Sequence, residues 1–171
     1  MVLKIEDDYL PIESLKFIFD TMSGVNFPWY YQPFKERSSD RDVLLTHIFY
    51  NNYPPLSNES VTILNPIIEK INPAALIRIK ANSYPCTHAP IEHKMHIDFQ
   101  FKCTTSIFYV NTNNGVTKFK NGEVVESVAN RLVTFPTQLE HASSSCSDER
   151  VRYNINFNYF SIGDNDGSNT Y

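Results

Sequence analysis

Polar and apolar positions change rhythm near Ala74. Before it the spacing is helical in two stretches: Pro11 to Met22 carries Ile12, Leu15, Phe19 and Met22 at helical intervals, and a run entered through Ser57-Asn58-Glu59 continues to Ile71. Apolar residues three and four apart line one face of a helix. Pro11 suits an early helical position and Gly24 a stop, Ser57 is of N-cap type, and Pro66 is a kink the second helix has to carry. Phe27-Pro-Trp-Tyr-Tyr31 reads as an aromatic, strand-like packing run. Val43 to Tyr50 reads as a strand, and Gln32 to Arg41 as a charged loop between the two.

After Ala74 the period becomes two, with Pro, Gly and Asn between short runs. Strands are predicted over 74–84, 95–101, 103–111, 115–119, 123–128, 131–135, 139–142 and 150–160. That number suits a double-stranded β-helix, or jelly roll: a mainly β fold with flanking helices packed outside one sheet. The polar tail 163–171 is expected to fray. The expected organisation is therefore one domain over 1–171, with mixed helix and strand support at 1–73, a β core at 74–162 and a flexible tail.

Alternation also sorts side chains by face. Within 95–101, Met95, Ile97, Phe99 and Phe101 oppose His96, Asp98 and Gln100; within 151–158, Val151, Tyr153, Ile155 and Phe157 oppose Arg152, Asn154, Asn156 and Asn158. If the apolar faces meet helices or a second sheet, the polar faces line solvent or a polar cavity. A barrel mouth lined by His, Asp, Arg and Asn is a site.

On a strand, His96 and Asp98 point the same way and can grip one ion, and His141 arrives from a later strand. Two imidazoles and one carboxylate form the facial triad that holds non-haem Fe(II) with neighbouring positions open. The stretch between Asp98 and His141 has room for two hairpins. Arg152 follows on the last strand, where its planar fork suits two-pronged pairing with a carboxylate. Arg150 competes for that role, although Asp148 and Glu149 beside it favour a solvated pair. His47 reads as a half-buried structural residue. His88 and His93 lie in the loop entering His96, a place for substrate contact rather than metal ligation.

Composition narrows the classes. The chain has 171 residues, 42% hydrophobic and 20% charged, with a formal net charge of −4 and no basic block, so a nucleic-acid partner is not expected. The N-terminus MVLKIEDDYL is too acidic for a secretory signal, and no run approaches the roughly 20 apolar residues that span a bilayer. No membrane partner is expected, and the expected location is cytoplasmic, in a bacterium or a virus-infected host cell. Three cysteines, Cys86, Cys103 and Cys146, lack zinc-site spacing and read as reduced thiols.

From about Arg78 to Phe160, roughly half the chain, the motifs assemble into a recognisable order: Ser83-Tyr84-Pro85, His96-Ile97-Asp98, Thr105 to Asn111, the Asn114-Gly115-Val116-Thr117 turn with Phe119, Asn130 to Pro136, His141, and Arg152 to Phe157. Together they resemble the Fe(II)- and 2-oxoglutarate-dependent oxygenases, within them the prolyl-hydroxylase-like group, in a form like the small stand-alone members of bacteria and their viruses. The resemblance implies that His96, Asp98 and His141 are the catalytic iron ligands. It further implies that Arg152 binds the distal carboxylate of 2-oxoglutarate, that Tyr109 shares it, and that Tyr84 matches a cosubstrate-side tyrosine. Asn154 and Asn156 are expected to hydrogen-bond within the pocket. A ketoacid chelating iron through its keto end leaves its far carboxylate deep in the barrel, where an unpaired charge is costly.

The implied reaction uses O2 and 2-oxoglutarate to hydroxylate an unactivated C–H bond, releasing succinate and CO2. A compact N-terminal part without a recognisable peptide-binding extension leaves the substrate open: a prolyl or other peptidyl side chain of a protein or peptide, a nucleotide, or a small metabolite. Two alternatives remain at this stage: a cupin-like metal-binding jelly roll, which usually has a third histidine near the first and needs no arginine anchor, and a non-enzymatic structural β-sandwich.

Overall fold

The structure, a computed structural model, describes residues 3–32, 43–53 and 56–162. The expected charged loop falls, from residue 33 onward, outside the described residues, as does the expected frayed tail at 163–171.

Strand β1 (Lys4–Glu6) precedes helix α1 (Ile12–Ser23), which starts directly after Pro11, whose carbonyl accepts from the backbone N–H of Ser14 and Leu15. The buried stripe of α1 is Leu15, Ile18 and Met22. Ile12 and Phe19, expected on that stripe, are 66% and 37% exposed. The docked face is turned toward Ile18, and Phe19 instead lies edge-on against Tyr153 at 6.3 Å. After the two-residue β2 (Tyr30–Tyr31) and β3 (Leu45–Asn51) comes α2 (Asn58–Ile71), capped by the Ser57 hydroxyl, which accepts from the Ser60 N–H at 3.1 Å. The helix runs through Pro66 and ends on Asn72 in the left-handed region, φ 49°. Of the aromatic run, Phe27 and Trp29 pack on the core, whereas Tyr30 and Tyr31 are exposed.

The remaining strands are β4 (Pro73–Pro85), β5 (Thr104–Tyr109), β6 (Asn113–Phe119), β7 (Val124–Ser127), β8 (Arg131–Pro136), β9 (His141–Ser143) and β10 (Val151–Ser161). They form a seven-stranded sheet, order β1-β8-β5-β10-β4-β3-β2, and a three-stranded sheet, order β7-β6-β9; the strand pairs are antiparallel. Two facing sheets with helices outside the larger one make a double-stranded β-helix.

One predicted strand does not form. Residues 95–101 join the smaller sheet through the isolated bridge His96↔His141, with a second bridge, Glu92↔Ser144, just upstream. Past His96 the chain leaves β9. Asp98 turns to an ion pair with Arg78, and Phe99 and Phe101 pack on each other at 5.0 Å, so side-chain contacts replace the ladder that alternation predicted.

Two cores follow from the layers. Ile79, Ala81, Phe108, Leu132, Ile155 and Phe157 face α1 and α2, while Ile107, Tyr109, Phe119, Val125, Val133 and Phe135 fill the space between the sheets. Alternation along β10 thus sends Ile155 and Phe157 outward to the helices and leaves Arg152, Asn154, Asn156 and Asn158, all buried, on the inner face. No helix among the described residues is long and apolar enough to cross a membrane.

Candidate metal centre

Register fixes what surrounds the inner row of β10. Opposite Arg152, Asn154, Asn156 and Asn158 on β4 stand Tyr84, Asn82, Lys80 and Arg78, and on β5 the partners of the three asparagines are Tyr109, Ile107 and Thr105. Three adjacent strands therefore present one polar floor beneath the smaller sheet.

At the Asn158 end, one ligand atom from each of His96, Asp98 and His141 lies within 4.8 Å of the others. The bridge that replaces the expected strand brings the two imidazoles together, with ring centroids 4.7 Å apart. His141 Nδ1 is 3.1 Å from the Leu139 carbonyl and His96 Nδ1 3.2 Å from that of Lys94. A carbonyl only accepts, so each Nδ1 carries a proton, and in the neutral ring Nε2 is the nitrogen that can ligate a metal.

Burial drives the His141 pKa below its ordinary value, more strongly than Asp98 and the Leu139 carbonyl raise it, so the ring is held in its ligating form. For Asp98, burial alone would raise the pKa; the Arg78 guanidinium, helped by the Asn158 amide and Lys80, outweighs it and keeps the carboxyl below its usual range. The result is an anionic carboxylate and a neutral His141 imidazole beside the His96 ring, and two imidazoles with one carboxylate are a donor set that divalent iron accepts.

At the other end, Arg152 is fully buried. Its Nε donates to Ser127 Oγ at 2.6 Å and Nη2 to Thr117 Oγ1 at 3.2 Å, whereas Nη1 is buried with no hydrogen-bond partner among the described residues. Tyr84 and Tyr109 flank the guanidinium, 5.3 and 5.6 Å from ring centre to Cζ. The Tyr109 hydroxyl donates to Thr117 at 2.8 Å, and burial raises its pKa despite Arg152, so it stays protonated. A Cβ added at Gly115 would stand 2.5 Å from Arg152 Cδ; glycine is what lets β6 pass so close. A buried cation with an unused donor is complementary to a carboxylate, so this end fits an anionic ligand.

Between the ends, Asn82 donates to Asn154 at 2.8 Å and to Asn156 at 3.3 Å, and among the described residues Asn82 Oδ1 has no hydrogen-bond partner. Arg150 is exposed in the turn before β10, which removes it as the buried anchor. His93 stacks on Tyr84 at 5.2 Å and meets Ser143 Oγ at 2.9 Å, outside the metal cluster; His88 is exposed, and His47 contacts the Pro28 carbonyl. Cys86, Cys103 and Cys146 form no disulfide among the described residues.

No protein-family model and no curated protein matches the sequence. Solved structures do match in fold. A prolyl-4-hydroxylase of Pseudomonas putida superposes with a TM-score of 0.62 at 12% identity, over 94% of this chain and 93% of that one. An oxidoreductase of the 2OG-Fe(II) oxygenase family from Burkholderia pseudomallei gives 0.67 at 12% identity, over 92% and 84%. A prolyl hydroxylase from Trichoplax adhaerens, in complex with a peptide fragment of the hypoxia inducible factor oxygen degradation domain, gives 0.61 at 15% identity, over 93% and 83%. This chain has the fold of the 2-oxoglutarate- and Fe(II)-dependent oxygenases.

Within that oxygenase fold, sequence reasoning missed several residues that complete the site. Asn158 belongs to the polar set of β10 that alternation had already isolated, but its contact with Asp98 depends on how residues 97–101 turn. Arg78, Lys80 and Asn82 alternate through an otherwise apolar β4, a signal present in the sequence and not used. Thr117, Ser127 and Gly115 carry no signal of their own; they matter because β6 and β7 lie across Arg152.

Proposed function

We propose that the protein is an Fe(II)- and 2-oxoglutarate-dependent dioxygenase that hydroxylates an unactivated C–H bond, with a prolyl or other peptidyl side chain as the substrate class tested first. The reading takes residues 1–171 as one oxygenase domain. The observation that carries it is the buried, unused Nη1 of Arg152 on the same floor as the His96–Asp98–His141 cluster. A metal-only jelly roll has no use for such a donor, and a structural sandwich has no use for either end. The cupin alternative also loses its third histidine, since among the described residues the cluster holds only those two.

His96, Asp98 and His141 would hold the iron, and Arg152 would receive the distal carboxylate of 2-oxoglutarate. Bound together, iron, ketoacid and O2 supply the oxidising chemistry, in which decarboxylation of the ketoacid to succinate and CO2 accompanies transfer of one oxygen atom to the substrate. The chain supplies the positioning. Thr117 accepts from both Tyr109 and Arg152, leaving its own proton as a further donor, and Ser127 fixes the guanidinium plane. Tyr84, Asn154 and Asn156 complete the wall. The peptide class draws support from the peptide-bound prolyl hydroxylase among the fold neighbours.

The deciding experiment measures melting temperature with Mn(II) and N-oxalylglycine, a non-reactive ketoacid mimic, together with succinate release against peptides, nucleosides and small metabolites. The proposal expects stabilisation by Mn(II), a further rise with N-oxalylglycine, and substrate-stimulated succinate. Stabilisation by metal alone would favour the cupin-like reading, and none at all a structural protein.

A further inference from the structure

Arg78 does more than neutralise Asp98. Its Nη2 donates to Asp98 Oδ1 at 2.8 Å and its Nε to Asn158 Oδ1 at 3.1 Å. Because the amide oxygen of Asn158 is taken by Arg78, its Nδ2 must point the other way, where it donates to Asp98 Oδ2 at 2.9 Å and to Thr105 Oγ1 at 3.0 Å. Arg78, Asp98 and Asn158 thus close a ring of hydrogen bonds in which each fixes the orientation of the next.

Three adjacent strands build that ring at one level, since Arg78 pairs with Asn158 across β4 and β10, and Asn158 with Thr105 across β10 and β5. The register shift between Asn158 and Tyr159 falls at this level, and a bulge is a device for re-aiming a side chain. The guanidinium lies over the Phe99 ring, 4.8 Å from its centre, so its plane is set as well. Asp98 has a side chain only 5% exposed, yet it follows a segment with no ladder beyond His96 to hold it. The ring substitutes for the missing strand.

We propose that Arg78 is a positioning residue for the metal centre. Engaging Oδ1 from one side while Asn158 engages Oδ2 from the other, it prevents the carboxylate from rotating and presents Asp98 to the ion in a single orientation, leaving neighbouring positions free. This rests on the metal-binding reading above. A lysine would keep the charge but could not donate to Asp98 and Asn158 from one rigid plane while covering Phe99.

The test is titration of the purified, metal-free protein with Co(II), following the visible absorption bands, for the parent, Arg78→Gln, Arg78→Lys and Asp98→Ala. Outer groups that orient metal ligands typically change affinity by about 10- to 100-fold. Arg78→Gln is expected to lose affinity in that range and to alter the positions and intensities of the bands. Arg78→Lys, kept as the variant that retains a cation if Arg78→Gln fails to fold, is expected to fall between Arg78→Gln and the parent in affinity and to show altered bands. Bands and affinity equal to the parent in the folded variants, with only a lower melting temperature, would overturn the positioning role and leave the metal centre standing. Saturable binding that survives in Asp98→Ala would overturn the metal centre itself, and the positioning role with it.

Discussion

Arg78 and Arg152 stand on neighbouring strands and face the same interior, yet they are satisfied in opposite ways. Arg78 has a carboxylate partner at 2.8 Å and an amide oxygen at 3.1 Å, and its side chain is 20% exposed. Arg152 is completely buried and holds two hydroxyls, and among the described residues it has no anion and its Nη1 no hydrogen-bond partner. A buried charge is costly unless it is paired. Arg78 is explained by the folded chain alone, whereas Arg152 is left complementary to a negatively charged ligand. A site built for a dianionic ketoacid would be organised in this way, with one cation occupied in holding a metal ligand and the other kept in reserve.

The largest effect should come from removing the partner Arg78 already has. Asp98→Ala is expected to abolish Mn(II) stabilisation and succinate release together and to lower the stability of the metal-free protein. Breaking a buried pair by deleting one side costs about 3–5 kcal/mol, and the partial exposure of Arg78 places this case toward the lower end. Differential scanning fluorimetry with and without Mn(II) reads both effects. A fully stable Asp98→Ala protein would break the comparison.

Arg152→Met should behave in the opposite sense. With no anion to lose, the ligand-free variant is expected to melt no lower than the parent. Its KM for 2-oxoglutarate should rise by the worth of a buried charged contact, about 2–5 kcal/mol, while Mn(II) affinity changes little. An unchanged KM would return the anchoring role to another cation. Gly115→Ala probes the same end more gently. The new methyl would meet Arg152 Cδ at 2.5 Å and Asn113 Oδ1 at 2.8 Å, so the guanidinium must shift. Overpacking of this kind costs about 1–3 kcal/mol and should appear as a raised KM for 2-oxoglutarate with Mn(II) binding intact.

How much of this was legible depended on whether a residue's surroundings are local. β10 was readable because strict alternation over its length fixes two faces, and both faces became buried against different layers. Arg150 shares the parity of Arg152, so alternation could not separate the two; the acidic neighbours Asp148 and Glu149 were the signal, and Arg150 is exposed before the strand begins. The helices were readable as helices, but the docked face of α1 was not, because Ile12 and Ile18 flank Leu15 almost symmetrically and the choice lies with the partner surface. Residues 95–101 alternate as well as β10 does and still form no strand: an ion pair of Asp98 to Arg78 and the stacking of Phe101 on Phe160 at 6.1 Å outweigh pairing, and both partners are distant in sequence. His96 and Asp98 still converge, through a bridge and a ring of hydrogen bonds rather than through a shared strand face. The short β1 carried no pattern at all; its position is set by pairing with β8.

A third guanidinium calibrates the other two. Arg131, at the β8 end of the larger sheet, grips Asp7 from Nε at 2.6 Å and Nη2 at 3.0 Å, but Asp7 has a side chain 54% exposed. Its hydrogen bond from Arg131 holds the Asp7 carboxyl below its ordinary value, the small burial opposing. A carboxyl depressed on folding stabilises the protein fully above its unfolded value, near 3.8, and that contribution is lost as pH falls through the lower folded value. Solvent screening limits the pair to about 0.2–1 kcal/mol. Asp7→Asn should therefore lower the melting temperature slightly at neutral pH, less so in high salt, and converge on the parent in acid, with no change in Mn(II) or 2-oxoglutarate binding at any pH. A guanidinium–carboxylate contact, which matters little on the surface, is what the buried Nη1 of Arg152 is expected to offer its ligand. If Asp7→Asn cost as much as Asp98→Ala, burial would not be the variable that separates these arginines.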